Sequence, residues 1–321
     1  MQPLNYSLKS DPIIDLLGLQ RACYDTPLFF HPPLFVYSLA LLIKLTGLKL
    51  ILFFPILAML FSIWLTFLIG RILYSERVAL IAAGILALCP IALHASTKIW
   101  IDAPLTMFCT ATIYLLTTKR YGWAGAAYGL ALLTKLPAIG IAPVVLFLLA
   151  KDLKRSWRFI VPAVMIAAPW YVVYYFSCNS FVPTWLHNNP GPGGWFANET
   201  MARPAIFYVS NLLVVAPVYM FGFIEMGKRR NWICIIWVVC FIAMFMLQKL
   251  LTPYFGFIMR YLLPCLPGLA LLSAKFLEQK KKFWIPAVVM CGYGVFLGIT
   301  NIYIFYNADV FNLKFLLKLC Q

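Results

Sequence analysis

Thr97-Lys98-Ile99-Trp100-Ile101-Asp102-Ala103-Pro104-Leu105-Thr106 places one carboxylate, a lysine four positions before it and an indole between two apolar runs. An acid at the mouth of a membrane span is costly and is retained where it holds a partner or a substrate. The plain alternative is a helix N-cap, because Asp accepts backbone N–H bonds there and suits the positive end of the helix dipole. Either way a helix starts near Asp102 and continues through apolar sequence.

The composition agrees with a membrane setting. Of 321 residues, 63% are hydrophobic and 11% charged, whereas soluble domains are about half apolar and a quarter charged. The chain reads as an all-α polytopic membrane protein, one bundle without a soluble core. Its net charge of +16 fits basic cytoplasmic loops facing anionic lipid and does not require a nucleic-acid partner. The nine cysteines are scattered and form no Cys-x-x-Cys; they read as small buried hydrophobes.

Taken in order, residues 1–31 are polar to mixed and end at His31-Pro32-Pro33-Leu34. Leu34–Leu45 is too short to cross a bilayer, which needs about 20 residues, and reads as an interfacial or re-entrant helix. About ten spans follow, at 50–70, 78–95, 102–118, 121–134, 136–150, 158–177, 205–226, 232–248, 260–275 and 284–306. This gives one domain, 1–321: an outer segment 1–49, a bundle 50–306 with an outer loop 178–204, and a tail 307–321.

Orientation follows from positive charge. Lys151, Lys154, Arg155 and Arg158, then Lys228, Arg229 and Arg230, then Lys280, Lys281 and Lys282 cluster in short loops, while loop 178–204 holds only Arg203. The clusters mark the cytoplasmic side. Keeping them there requires two short helices between Arg120 and Lys151, meeting near Lys135-Leu136-Pro137. His31, His94, Asp102, Lys135, His187, Lys249 and Arg260 then share the outer face.

That set suits a reaction in which an acid acts as base and cations hold a phosphate leaving group. Each member has a plainer reading. His31 could mark a helix start, Lys135 could snorkel to headgroups, and Lys249 could be an ordinary flanking lysine. His94 and His187 suit structural roles. Arg260 opens a span from the outside, against the charge bias, which favours a role in chemistry. A divalent ion on His31, His187 and a carboxylate is an option, although no His-x-x-x-His spacing backs it. Trp100 and Trp195 could stack on a sugar or serve as interfacial aromatics.

Four motifs in this order resemble the lipid-linked-sugar glycosyltransferases: His31-Pro32-Pro33-Leu34, Trp100-Ile101-Asp102-Ala103-Pro104-Leu105, Leu133-Thr134-Lys135-Leu136-Pro137-Ala138 and Arg260-Tyr261-Leu262-Leu263-Pro264. These are the relatives of protein O-mannosyltransferase and of the lipid A aminoarabinose transferase. The resemblance implies the C-type glycosyltransferase fold and a sugar taken from a polyprenyl phosphate on the extracytoplasmic side, then passed to a protein, lipid or glycan. It implies that Asp102 is the family's second acid and that His31, Lys135 and Arg260 meet the donor phosphate. The family's first acid follows a leading span. Here Asp11 and Asp15 are the candidates, 20 and 16 residues before His31, and the expectation is that a first helix is missing from this chain.

The expectation is therefore an inverting, polyprenyl-phosphate-dependent hexosyltransferase, with Asp11 or Asp15 as base and Asp102 assisting. Lys135, Arg260, His31 and Lys249 would lie at the phosphate. A bacterial inner membrane is favoured over endoplasmic reticulum. The rivals are an inactive truncated relative and a lipid or sugar transporter or flippase.

Overall fold

A computed structural model describes residues 32–47, 50–178, 204–228, 231–251 and 259–307. The described chain is helical. Thirteen α-helices are used below: α1 (Leu34–Thr46), α2 (Phe53–Leu73), α3 (Glu76–Ala87), α4 (Pro90–Ser96), α5 (Asp102–Thr117), α6 (Tyr121–Thr134), α7 (Ala142–Leu149), α8 (Trp157–Cys178), α9 (Pro204–Val215), α10 (Met220–Met226), α11 (Trp232–Leu251), α12 (Leu266–Gln279) and α13 (Trp284–Asn307). Short 3₁₀ turns, including Leu136–Ile141 and Met259–Cys265, join several of them.

Among the described residues, four helices are long and apolar enough to cross a membrane, or six if each of two bent pairs forms one span. The bent pairs correct two expected continuous spans. The run 78–95 bends by 62° between α3 and α4, and 205–226 bends by 120° between α9 and α10. Each break falls at the residue before a proline, Cys89 (φ −69°, ψ 124°) and Ala216 (φ −139°, ψ 71°). The proline ring crowds that residue out of the α region. The short pair around Lys135 is present as expected: α6 stops at Thr134, and Lys135 is extended before the 3₁₀ turn Leu136–Ile141. α1 is a 13-residue apolar helix with no buried residue, in keeping with the expected surface helix.

Small residues bring the helices close. A Cβ on Gly125 would lie 2.1 Å from the Phe159 carbonyl oxygen, and one on Gly129 would lie 2.9 Å from Ile166 Cβ, so α6 and α8 pack nearly backbone to backbone. With no water to expel between helices in lipid, such close packing is a main source of association. α12 is the central helix and is largely buried. It packs against α3, α10 and α11, and the buried Trp237 indole of α11 donates to the Pro264 carbonyl just before it (2.9 Å). α8 and α13 keep most of their apolar surface outward, the face a helix offers to lipid. Composition and helices together make this an integral membrane protein.

Candidate functional site

α5 starts at Asp102, but the cap reading fails. Ile101 is the N-cap and makes no side-chain cap bond. The Asp102 carboxylate is 1% exposed and instead accepts a hydrogen bond from the Lys135 ammonium, Nζ to Oδ1 2.8 Å. Lys135 is itself 3% exposed. The break between α6 and the following 3₁₀ turn points it back at α5. Burial pushes the Lys135 amine below its usual range, and the Asp102 charge opposes that shift.

A second cation arrives from the far end of the chain. The 3₁₀ turn Met259–Cys265 packs on α5 and sets Arg260 Nε 3.3 Å from Asp102 Oδ2. Those two atoms make no hydrogen bond, so the contact is an ion pair. Aromatic faces complete the walls. The Arg260 guanidinium lies 4.1 Å from the Trp100 ring centre, and the Lys135 ammonium lies 4.4 Å from that of Tyr261. A desolvated cation on an aromatic face gains about 2 kcal/mol or more.

The stretch 97–101, outside the spans, adds two groups. Lys98 is 7% exposed, with its ammonium 4.4 Å from the Trp100 ring centre and within hydrogen-bonding distance of His94 Nε2. The His94 ring sits edge-on to Trp100, 5.0 Å between centres. Burial, and then the Arg260 charge, push the Lys98 amine down to about 8.

The structure thus joins Asp102, Lys135, Arg260 and Trp100 in one cluster. Of the other expected site residues, Asp11, Asp15, His31, His187 and Trp195 lie outside the described residues, as does the side chain of Lys249. Among the described residues, no three His, Cys, Asp or Glu side chains are grouped to hold a metal ion. Lys98 and Tyr261 are members that sequence reading did not assign, and His94, read there as structural, joins them at the site. Lys98 could have been suspected from its i, i+4 spacing with both His94 and Asp102, but its place beside Arg260 has no local signal.

One carboxylate between a buried cation and a partly exposed one, with a third beside them and aromatic walls, can bind an anion whose remainder is apolar or ring-shaped. The carboxylate fixes the cations, so an arriving phosphate meets donors already in position.

Residues 30–176 match the family described as dolichyl-phosphate-mannose-protein mannosyltransferase, a segment that includes Trp100, Asp102 and Lys135 but ends before Arg260. Two structures of ArnT from Cupriavidus metallidurans are similar. The apo form has TM-score 0.61 and 19% identity over 81% of this chain and 52% of that one. The form bound to undecaprenyl phosphate has TM-score 0.62 and 16% identity over 89% and 56%. The chain therefore spans about half the length of these ArnT chains. No curated protein sequence matches it. The family suggested by the four motifs is thus the one whose model matches residues 30–176, and the chain shares the C-type glycosyltransferase fold of ArnT.

Proposed function

We propose that this chain is a membrane glycosyltransferase, organised as one domain, that takes a hexose-like sugar from a polyprenyl phosphate and gives it to a protein, lipid or glycan. The observation that carries the reading is the buried Asp102–Lys135–Arg260 cluster, supported by the likeness to ArnT bound to undecaprenyl phosphate. Lys135 and Arg260 bind the phosphate and stabilise it as the leaving group, while Asp102 holds them in place as a positioning residue. His31 and Lys249 extend the phosphate site, and Trp100 and Trp195 line the sugar. Asp11 or Asp15 takes the proton of the acceptor hydroxyl, which attacks from the face opposite the phosphate and inverts the anomeric centre. The site faces the extracytoplasmic side of a bacterial inner membrane.

The test is binding of undecaprenyl phosphate to the full chain in lipid nanodiscs, followed by release of that lipid from its sugar-linked form. Saturable binding that weakens about tenfold or more in Lys135→Gln is expected, since a charge-assisted contact is lost. Binding that is not saturable, or that ignores Lys135, would sink the reading.

A further inference from the structure

The reaction changes the charge of the group that the site holds. In the donor, the phosphate is a diester with one negative charge. When the glycosyl C–O bond breaks, its electron pair stays on the phosphate oxygen, and the acceptor oxygen bonds to the sugar. The acceptor's proton goes to the base. The departing lipid is then a phosphomonoester, whose second pKa is about 6, so it carries nearly two charges at neutral pH. A site that stabilises the leaving group must therefore meet a charge that was absent from the donor.

Lys135 and Arg260 are both committed in part to Asp102. Lys98 has a different placement. The Trp100 amide donates to the Lys98 carbonyl (2.7 Å) in a tight local turn, which folds the Lys98 side chain onto the indole that also carries Arg260. Two cations on one ring repel each other, and an anion bound beside them offsets that cost. His94 holds the Lys98 ammonium from α4.

Resting on the function proposed above, we infer that Lys98 is a further catalytic residue, meeting the second negative charge that develops on the phosphate as the sugar departs. His94 is its positioning residue. The site is thereby selective for phosphomonoester over phosphodiester, favouring the product-like charge state. Among the described residues, several elements bring groups to Lys98. α4 supplies His94, the 3₁₀ turn supplies Arg260 and Tyr261, α5 supplies Asp102, and the α6 turn supplies Lys135. The other helices packed on α4 bring no charge nearby: α13 has no Asp, Glu, Lys or Arg, and Arg71 of α2 and Glu76 and Arg77 of α3 lie at the far ends of their helices. Because burial and Arg260 bring the Lys98 amine to about 8, its charge is present below that pH and lost above it, and monoester binding falls with it.

The experiment compares undecaprenyl phosphate with its methyl phosphodiester as ligands of the full chain in nanodiscs, from pH 7 to 9.5. The wild type is expected to favour the monoester about tenfold at pH 7, the worth of one charge-assisted contact, and to lose that preference as pH rises through 8. Lys98→Gln should prefer neither lipid. Lys98→Arg, which stays charged above pH 12, should keep the preference across the whole range. A merely structural lysine would not separate the two lipids in this way. A Lys98→Gln protein that still favours the monoester, or a wild type that binds both lipids equally, overturns the inference and leaves the glycosyltransferase reading intact. Failure to bind either lipid sinks both.

Discussion

Two buried carboxylates stand toward opposite ends of the central helix, and they are held in opposite ways. Glu225, at the end of α10, is 1% exposed. Its partners are close in sequence: the Lys228 ammonium 2.6 Å away and the Asn231 amide at 3.3 Å. Lys228 is half-exposed and also reaches Gln279, so it clips α10 to the end of α12. This is a local, neutralised, water-accessible clamp. Asp102 instead draws Lys135 from 33 residues away and Arg260 from 158, the first buried and the second 27% exposed, with Lys98 and His94 beside them. Gathering cations from three separate segments in low dielectric is expensive in ordering and desolvation. A structural clamp needs no such assembly. The contrast separates a site from a fastening.

The largest effect that tests this contrast is on turnover. Asp102→Asn should lower sugar transfer by about 100-fold or more, the scale of losing one preorganised electrostatic element, while the protein still inserts and purifies. Glu225→Gln should leave turnover near wild type and lower the thermal midpoint. Equal losses of activity in the two variants would erase the distinction.

Next in size is stability. Lys135→Met leaves Asp102 buried with one ion-pair partner fewer and should cost about 3–5 kcal/mol. Adding Asp102→Asn should return most of that stability without restoring transfer. Lys228→Met should cost less, about 1–3 kcal/mol, because Glu225 keeps the Asn231 amide and the Lys228 side of the pair is open to water. Denaturant titration of the purified variants reads these differences directly.

The smallest effect belongs to the aromatic wall. Trp100→Phe keeps a ring under Arg260 and Lys98 but a weaker one, so about 1 kcal/mol should be lost. It should appear as a several-fold rise in donor KM with little change in kcat. A large fall in kcat would mean that Trp100 does more than support the cations.

The main members of the site were legible because charge is conspicuous in apolar sequence. Asp102, Lys135 and Arg260 each interrupt a hydrophobic run, and the basic-loop count sets them on one face. The direction of the Asp102 side chain was not legible. A cap and an ion pair look identical in sequence, and only the return of α6 at Lys135 decides between them. Lys98 stayed hidden for a related reason: its meaning depends on Arg260, 162 positions later. The helix breaks were half legible. Pro90 and Pro217 end helices, yet Pro162 and Pro169 lie within α8 and leave it one helix. Proline removes a donor in every case, so its presence alone does not tell a break from a continuing helix.

α12 also constrains how the gene can change. It runs about 21 Å, at 1.5 Å per residue, from the turn that carries Arg260 to Glu278 and Gln279. There Glu278 accepts from the Ser75 hydroxyl (2.7 Å) and from Lys275 (2.8 Å), while Gln279 accepts from Lys228. One codon gained or lost within 266–279 turns one end against the other by about 100°. No rigid-body shift then restores both the Arg260–Asp102 pair and the Glu278–Ser75 bond. Substitutions along the outward faces of α8 and α13 carry no such penalty, so the length of this stretch is held more tightly than most of its letters.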